Sequence, residues 1–269
     1  MPPPGAGAPI GVRAAGMGRA FTAVADDASA IYWNPGALAS GAFVSLVLDR
    51  NDMDQSSGML LALGAPPVAL GYYRTETAGS VEGSDRLVAY HTGITLVQSI
   101  GHSLAVGGTV KWVHGSAGGV STNKFDVDMG VKFTGAAASA GLTVRNVLEP
   151  DFTLPGGGLL TLDRQVRAGV ALHLFQGTVL AADFDLTKGK TALGEWREMA
   201  IGAESHFLPH AWARGGVHWN AAGETLGAAP IGSIGGSYAV YKQILADGQY
   251  SFGSSHGDRG WGAGVRIVF

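Results

Sequence analysis

The chain ends Gly260-Trp261-Gly262-Ala263-Gly264-Val265-Arg266-Ile267-Val268-Phe269, and this stretch alternates residue by residue. Trp261, Ala263, Val265, Ile267 and Phe269 fall on one face of an extended chain, and Gly260, Gly262, Gly264 and Arg266 on the other. A period of two is that of a β-strand, whose side chains point alternately to its two faces. Val268 is the one large apolar residue on the second face. One face is therefore large and greasy, the other small and charged.

The same split recurs upstream. Leu104, Val106, Val110 and Trp112 oppose Ser103, Ala105, Gly107, Thr109 and Lys111; Phe125, Val127, Met129, Val131 and Phe133 oppose Lys124, Asp126, Asp128 and Lys132. Val166, Ala168, Val170, Leu172 and Leu174 oppose Arg167, Gly169, Ala171 and His173, and Leu180, Ala182, Phe184 and Leu186 oppose Asp183 and Asp185. From Phe43 to Phe269 the chain reads as segments of roughly eight to twelve residues separated by Gly, Pro, Asp or Asn, a strand-and-turn meander. About fourteen segments are expected, the even number that single-chain bacterial barrels require.

Alternation also suits a soluble sandwich, whose apolar faces meet in a core. Two features favour lipid instead. Trp112, Phe133, Phe207, Trp219, Tyr250, Phe252 and Trp261 stand near strand ends on the apolar face, as in the aromatic girdles of membrane barrels. The connections are short, apart from a Pro- and Gly-rich stretch between Glu149 and Leu160, and no Greek-key crossover is apparent. The fold expected is an all-β, up-and-down antiparallel membrane barrel.

Composition agrees. Charged residues make up 14% of the chain and Gly accounts for 43 of 269 residues, against about 25% and ~7% in soluble proteins. The longest charge-free stretches, such as Leu60 to Tyr73, are broken by Gly and Pro and fall short of the roughly 20 residues of a membrane helix. Cysteine is absent, which excludes disulfides and thiolate metal sites. The net charge of -3, with acids and bases interleaved, leaves no basic field for nucleic acid. The opening Met1-Pro2-Pro3-Pro4-Gly5 has neither part of a secretion signal: either a signal peptide is missing from this sequence, or the chain stays in the cytoplasm.

Residues before Phe43 differ. Phe21, Val24, Ala28 and Ile31 are spaced i, i+3, i+7 and i+10, with Asp26 and Asp27 opposite, which predicts an amphipathic helix. Asn34-Pro35 ends it and opens a helical turn through Leu38. Such a segment is too small for its own core, and the lumen of a barrel of about fourteen strands can house it. The expected division is a plug over residues 1–41 and a barrel over 42–269.

Within this segment, Gly16-Met17-Gly18, Ala25-Asp26-Asp27-Ala28 and Asn34-Pro35-Gly36 resemble the N-terminal hatch of FadL-type outer-membrane transporters and the related PorV-like barrels. Gly36 stands where that family has Ala, a change that weakens a helix by up to about 1 kcal/mol. The terminal Phe269, with apolar residues at alternate positions before it, is similar to the assembly signal of outer-membrane barrels. The resemblance implies a fourteen-stranded barrel in the bacterial outer membrane, closed by the hatch, and in the transporter branch a hydrophobic ligand that leaves sideways through the wall.

Inward-facing charges of both signs are expected at Lys111, Asp126, Asp128, Lys132, Arg145, Arg167, Asp183, Asp185, Glu198, Glu204, Arg214, Asp247 and Arg266, joined by Arg13, Asp26 and Asp27 from the plug. They are either a solute pathway or a self-neutralising network that holds the plug, since unpaired charge in a confined interior is costly. His91, His173, His206 and His218 face inward on the same parity, without the spacing of a metal site. Gly253-Ser254-Ser255-His256-Gly257 matches the nucleophile-elbow pattern but sits in a turn with no helix after it, and Gly5-Ala6-Gly7 lacks the strand that precedes a phosphate loop. No catalysis, metal or cofactor is expected. Pro66 and Pro67 before a strand from Val68 that holds Gly71 read either as a tight turn or as a lateral break in the wall.

Two functions remain. One is passive uptake of small hydrophobic molecules, fatty-acid-like or aromatic, with Phe21, Tyr32 and Trp33 lining the path past a moving plug. The other is a structural or adaptor barrel that docks envelope or secretion components, which short loops and a filled lumen favour. Outer-membrane lipid is a partner in both.

Overall fold

The structure, a computed structural model, describes residues 9–53, 56–77, 87–154, 157–174, 177–191, 194–222, 229–254 and 256–269. It begins with two short helices, α1 (Val12–Gly16) and α2 (Ala30–Trp33), and a 3-10 helix over Pro35–Ser40. The first strands are β1 (Ser45–Met53), β2 (Ser56–Ala65), β3 (Val68–Thr77), β4 (Leu87–Ile100), β5 (Leu104–Ala117), β6 (Val120–Thr134) and β7 (Ala138–Arg145). A small hairpin, β8 (Asp151–Thr153) and β9 (Leu159–Thr161), precedes β10 (Gln165–Leu174) and β11 (Thr178–Asp185). A second, β12 (Gly189–Thr191) and β13 (Gly194–Trp196), precedes β14 (Glu198–Leu208), β15 (Ala211–Asn220), β16 (Ile231–Tyr241), β17 (Ile244–Phe252) and β18 (Gly260–Val268).

Fourteen of these strands close into one antiparallel barrel in chain order, with β1 paired to β18 and the two small hairpins outside the ring. The expected count and meander are those observed. The closing ladder runs from Ser45↔Val268 to Met53↔Gly260, so the strand ends next to both chain ends share one rim. Turns at that rim are tight, as at Pro66–Pro67 and Lys242–Gln243, whereas both small hairpins rise from the far rim.

The faces divide as alternation predicts. Ile94, Leu96, Val110, Phe125, Met129, Val170, Ile201, Ile234 and Trp261 are exposed on the outside, and buried charges such as Lys111, Asp128, Arg167 and Arg214 point inward. An outer surface this apolar has lipid as its solvent. Trp112 and Phe125 meet edge to face with centroids 4.7 Å apart, and Tyr72 stacks on Tyr90 at 6.1 Å. Tyr90, Trp112 and Phe125 lie in the halves of β4, β5 and β6 toward the far rim. The side chain of Phe207 lies outside the described residues.

Residues 10–38 are almost entirely buried. Helix α1 touches β15, β16, β17, β18 and β1, α2 touches β3, and the 3-10 helix touches β4, β5 and β6. One short segment can reach strands all round a closed ring only from within it. The predicted amphipathic helix is not formed, because Gly18 to Ser29 is a run of turns. Phe21, Val24, Ala28 and Ile31 are nonetheless all buried, and so is Asp27, while Asp26 stays exposed.

If the outer face meets lipid, charge there is costly. Val110→Arg, at an exposed site in the middle of β5, should lower the stability of the barrel refolded in vesicles by about 2–4 kcal/mol, read from urea titrations against the parent chain.

Candidate functional site

The lumen is built around close backbone contact. Many inward positions of the wall are glycine where the N-terminal segment touches it. A Cβ on Gly107 would stand 2.5 Å from the Pro35 carbonyl, one on Gly141 2.5 Å from Thr22 O, and one on Gly71 2.6 Å from Ile31 Cδ1. On the opposite wall, Gly202 and Gly216 lie against Met17, and Gly235 against Gly16. Gly18 has φ +62° and fits under Val217 without room for a side chain. Gly36 is forced too: a Cβ there would come within 2.7 Å of Gly130 O, so the departure from Ala serves packing rather than helix strength.

Wall side chains complete the segment's hydrogen bonds. The Asp183 carboxylate accepts from Phe21 N and Thr22 N at 2.9 Å each. Asp49 accepts from Val12 N at 2.8 Å. Lys132 Nζ donates to Ala25 O at 2.8 Å and Ser139 Oγ to Ala23 O at 3.1 Å. Asn34 acts as a clamp: Nδ2 donates to Thr22 O and Val131 O, both at 3.0 Å, while Oδ1 accepts from Gly36 N at 3.1 Å. Pro35 follows at the first helical position, where no N–H is needed.

The predicted inward charges gather into three groups. Arg13 bonds Glu204 through two nitrogens at 2.9 and 2.7 Å and also pairs with Asp26 and Asp27. Arg214 pairs with the same Glu204 and with Asp247, and Arg266 bridges Asp247 at 2.6 Å to Asp27 at 3.3 Å. Burial alone would raise the Asp27 carboxyl, but Arg266 and Arg13 outweigh it and hold it below the ordinary value. In the second group Arg167 contacts Asp183, Asp185 and Glu198 at 3.2, 3.3 and 2.8 Å, and Arg19 joins Glu198 at 3.0 Å. In the third, Lys111 lies 3.0 Å from Asp126 and 2.8 Å from Asp128, all fully buried. Arg145 donates to Gln165 and lies 4.3 Å over the Tyr32 ring. The first two groups include Arg13, Arg19 and Asp27 of the segment and tie it to the wall, and removing one partner of such a buried pair costs about 3–5 kcal/mol.

A sector of the wall carries none of this charge. β2 and β4 contain no Asp, Glu, Lys or Arg, and in β3 Arg74 and Glu76 fall on the outward parity, with Arg74 opposite Met59. Leu60 and Ala62 of β2 and Tyr73 of β3 form an apolar cluster with Val47 of β1 and with Ile10, Ala28 and Ile31 of the segment. Tyr73 meets Tyr32 edge to face at 5.3 Å and stacks on His91 at 4.4 Å. Beyond His91, toward the far rim, Leu87, Ala89, Val113 and Ala117 form a second apolar cluster with Phe152, Leu160 and Leu162. A charge-free strip thus climbs one side of the lumen, while two of the ionic groups occupy β10 to β18.

The sequence-predicted residues distribute as follows. Tyr32 faces the strip. Phe21 and Trp33, expected on the ligand path, meet edge to face at 6.0 Å, Trp33 also meets Tyr32 at 5.3 Å, and both belong to a buried cluster that includes Ala171, Ala181 and Ala200 as well as Ala69, Val97 and Ala105. Pro66 and Pro67 make the tight turn, and the ladders through Gly71, opposite Ala62 and Gly93, are unbroken; the lateral break is not there, and Gly71 makes room for Ile31. His91 and His218 are buried, whereas His173 and His206 lie exposed near the rim of the chain ends. Ser255 of the elbow pattern, Gly5-Ala6-Gly7 and the opening Met1-Pro2-Pro3-Pro4 lie outside the described residues. Sequence reading missed the charge-free sector, although the Leu60–Tyr73 stretch carried its signal, and missed the β8–β9 hairpin, hidden in a Pro- and Gly-rich connection.

No protein-family model matches the sequence, and no curated protein matches it. Solved structures do. A FadL homologue of Pseudomonas aeruginosa superposes with a TM-score of 0.70 at 11% identity, covering 100% of this chain and 99% of its own. The toluene transporter TodX of Pseudomonas putida gives 0.68 at 14% identity over 96% of each chain. The toluene transporter TbuX of Ralstonia pickettii gives 0.66 at 14% identity over 96% of this chain and 98% of its own. At these identities the likeness is one of fold, and the fold is the FadL-type barrel that the N-terminal motif implied.

Gly202→Val would drive two methyl groups into Met17, whose carbonyl already fills that space. The barrel should still assemble, but trypsin should then cut at Arg13 and Arg19, sites protected in the parent by burial. Protection as complete as in the parent chain would contradict the packing described.

Proposed function

We propose that the chain is an outer-membrane barrel for the passive entry of small hydrophobic molecules, with residues 1–41 as its plug. The observation that supports this most is the charge-free strip on β2, β3 and β4. It offers an apolar solute one greasy patch near the far rim and a second against Ile31 and Ile10, with the His91 ring, stacked on Tyr73, between them, while ionic groups lock the plug elsewhere. An apolar solute gains free energy on leaving water for such a surface, and no covalent step is needed. Membrane barrels keep short turns in the periplasm and longer connections outside, so the far rim with its two hairpins is taken as the outer side.

The adaptor reading draws its support from the density of ion pairs round the plug and the shortness of the turns. The two readings differ in what removal of residues 1–40 should do. Entry through the lumen gives an assembled barrel with altered uptake or a leak; docking gives unchanged uptake of hydrophobes and loss of a co-purifying partner.

A single side chain tests the strip directly. Leu60→Asn places an amide without a partner on the apolar wall, a penalty worth about tenfold in rate. Toluene uptake by cells that depend on this barrel should fall by that factor, with folded protein in the membrane unchanged. Undiminished uptake would remove the strip from the path.

A further inference from the structure

The outer face carries a polar group that the seating of the plug does not explain. His114 and Ser116 stand two residues apart on β5, on the parity of the lipid-facing Trp112, and both are half-buried. Asn123 on β6 pairs directly across from His114, and Ser121 across from Ser116, so all four side chains share the outside of the barrel. His114 Nδ1 donates to Asn123 Oδ1 at 2.8 Å. With its proton on Nδ1, the ring keeps a lone pair on Nε2. An imidazole oriented through one nitrogen acts as a general base at the other, and a nearby hydroxyl is the nucleophile it serves.

Ser116 supplies that hydroxyl. Residues i and i+2 lie roughly 7 Å apart along a strand, a gap that an imidazole, a hydroxymethyl group and one hydrogen bond together span. Ser116 Oγ has no hydrogen-bond partner among the described residues, and contacts of this kind often close only when substrate binds. Ser121 brings a second hydroxyl to the same place, a donor for a developing oxyanion. On the other side of His114 stands Tyr90, with ring centroids 6.4 Å apart. Nothing in the sequence marks the group, because Asn123 joins His114 only when β5 and β6 lie side by side. Trp112 and Phe125, both exposed, come next along β5 and β6 toward the middle of the wall. Aromatic rings on a lipid-facing wall mark the boundary between acyl chains and headgroups, and the ester bonds of membrane lipids lie at that boundary.

We propose that Ser116, His114 and Asn123 form a hydrolytic site on the outside of the barrel that cleaves acyl esters of membrane glycerophospholipids, an activity separate from uptake through the lumen. His114 Nε2 takes the hydroxyl proton as Ser116 Oγ bonds to the ester carbonyl carbon. The bond from that carbon to the glycerol oxygen then breaks, and His114 gives its proton to the departing oxygen. Water attacks the acyl-serine and yields a proton to His114; the bond to Oγ breaks, Oγ recovers the proton, and a fatty acid leaves. One ester and one water become one acid and one lysophospholipid. Asn123 is a positioning residue, which holds the ring and touches no reacting atom.

The full chain in mixed micelles of detergent and acyl-labelled phosphatidylcholine, with protein-free micelles as blank, tests this. The parent should release labelled fatty acid, and a fluorophosphonate should label Ser116, located by peptide mass spectrometry. Ser116→Ala and His114→Ala should each lower release more than about a hundredfold, and the double variant should be no worse, since the two groups act as a unit. Asn123→Ala should lower release about tenfold, whereas Asn123→Asp, which still accepts from Nδ1, should keep it; a merely structural role would not give that recovery. All these side chains lie outside the lumen, so the protection of Arg13 and Arg19 from trypsin should be that of the parent in every variant. Release no greater than the blank, release that survives Ser116→Ala or His114→Ala, or an adduct on a different serine overturns the hydrolytic site. Release indifferent to Asn123→Ala overturns the three-residue arrangement.

Discussion

Backbone lying directly on backbone governs this structure. A closed barrel of fourteen strands has a lumen too narrow for a folded segment unless the wall gives up its side chains where the two meet. Gly107, Gly130 and Gly141 do so beneath Thr22, Asn34 and Pro35, and Gly202, Gly216 and Gly235 beneath Gly16 and Met17. Glycine weakens a strand, since it costs chain entropy and packs nothing. Here the loss is offset because each omitted side chain admits a piece of segment that fills the same space. The high glycine content is thus a consequence of housing a second layer of chain inside the first.

Bringing backbone into a dry interior creates a second demand, for hydrogen bonds. A regular helix would satisfy its own N–H groups, but it is too wide to lie this close to the wall. The segment is therefore mostly turns, and its polar groups are met from outside by Asp49, Asp183, Lys132 and Ser139. Each such wall residue is itself polar or charged in a place remote from water, so it needs partners in turn. Arg167 beside Asp183 is such a partner, and the segment's own Asp27 is met in the same way by Arg266 of the wall. The ionic groups follow from the seating of the segment rather than from any need to pass ions.

This order of causes explains what could be read from the chain. Alternation in strands such as β5, β6 and β18 identified the two faces, because lipid on one side and chain on the other impose opposite chemistry at every step. Phe21, Val24, Ala28 and Ile31 were correctly marked as buried, but their helical spacing misled: a segment enclosed on all sides buries residues at every spacing, so periodicity loses its meaning there. Gly71 was read through its neighbours Pro66 and Pro67, when its reason lies across the lumen at Ile31. The burial of Phe152 against Gly115 was not legible, since nothing local distinguishes a loop aromatic that turns inward from one that meets a membrane surface.

The arrangement also bears on how anything could pass. A plug that swings out as a body would have to part Arg13 from Glu204, Arg19 from Glu198 and Arg266 from Asp27. At about 3–5 kcal/mol for each buried charge left alone, these terms together exceed what a small apolar ligand can return on binding. The strip along β2, β3 and β4 asks for much less, because its occupants are Ile31, Tyr32 and Tyr73 in apolar and aromatic contact. Rotamer changes there leave the ion pairs whole. In the uptake reading the plug is therefore a fixed partition, and the moving parts are side chains along one of its margins.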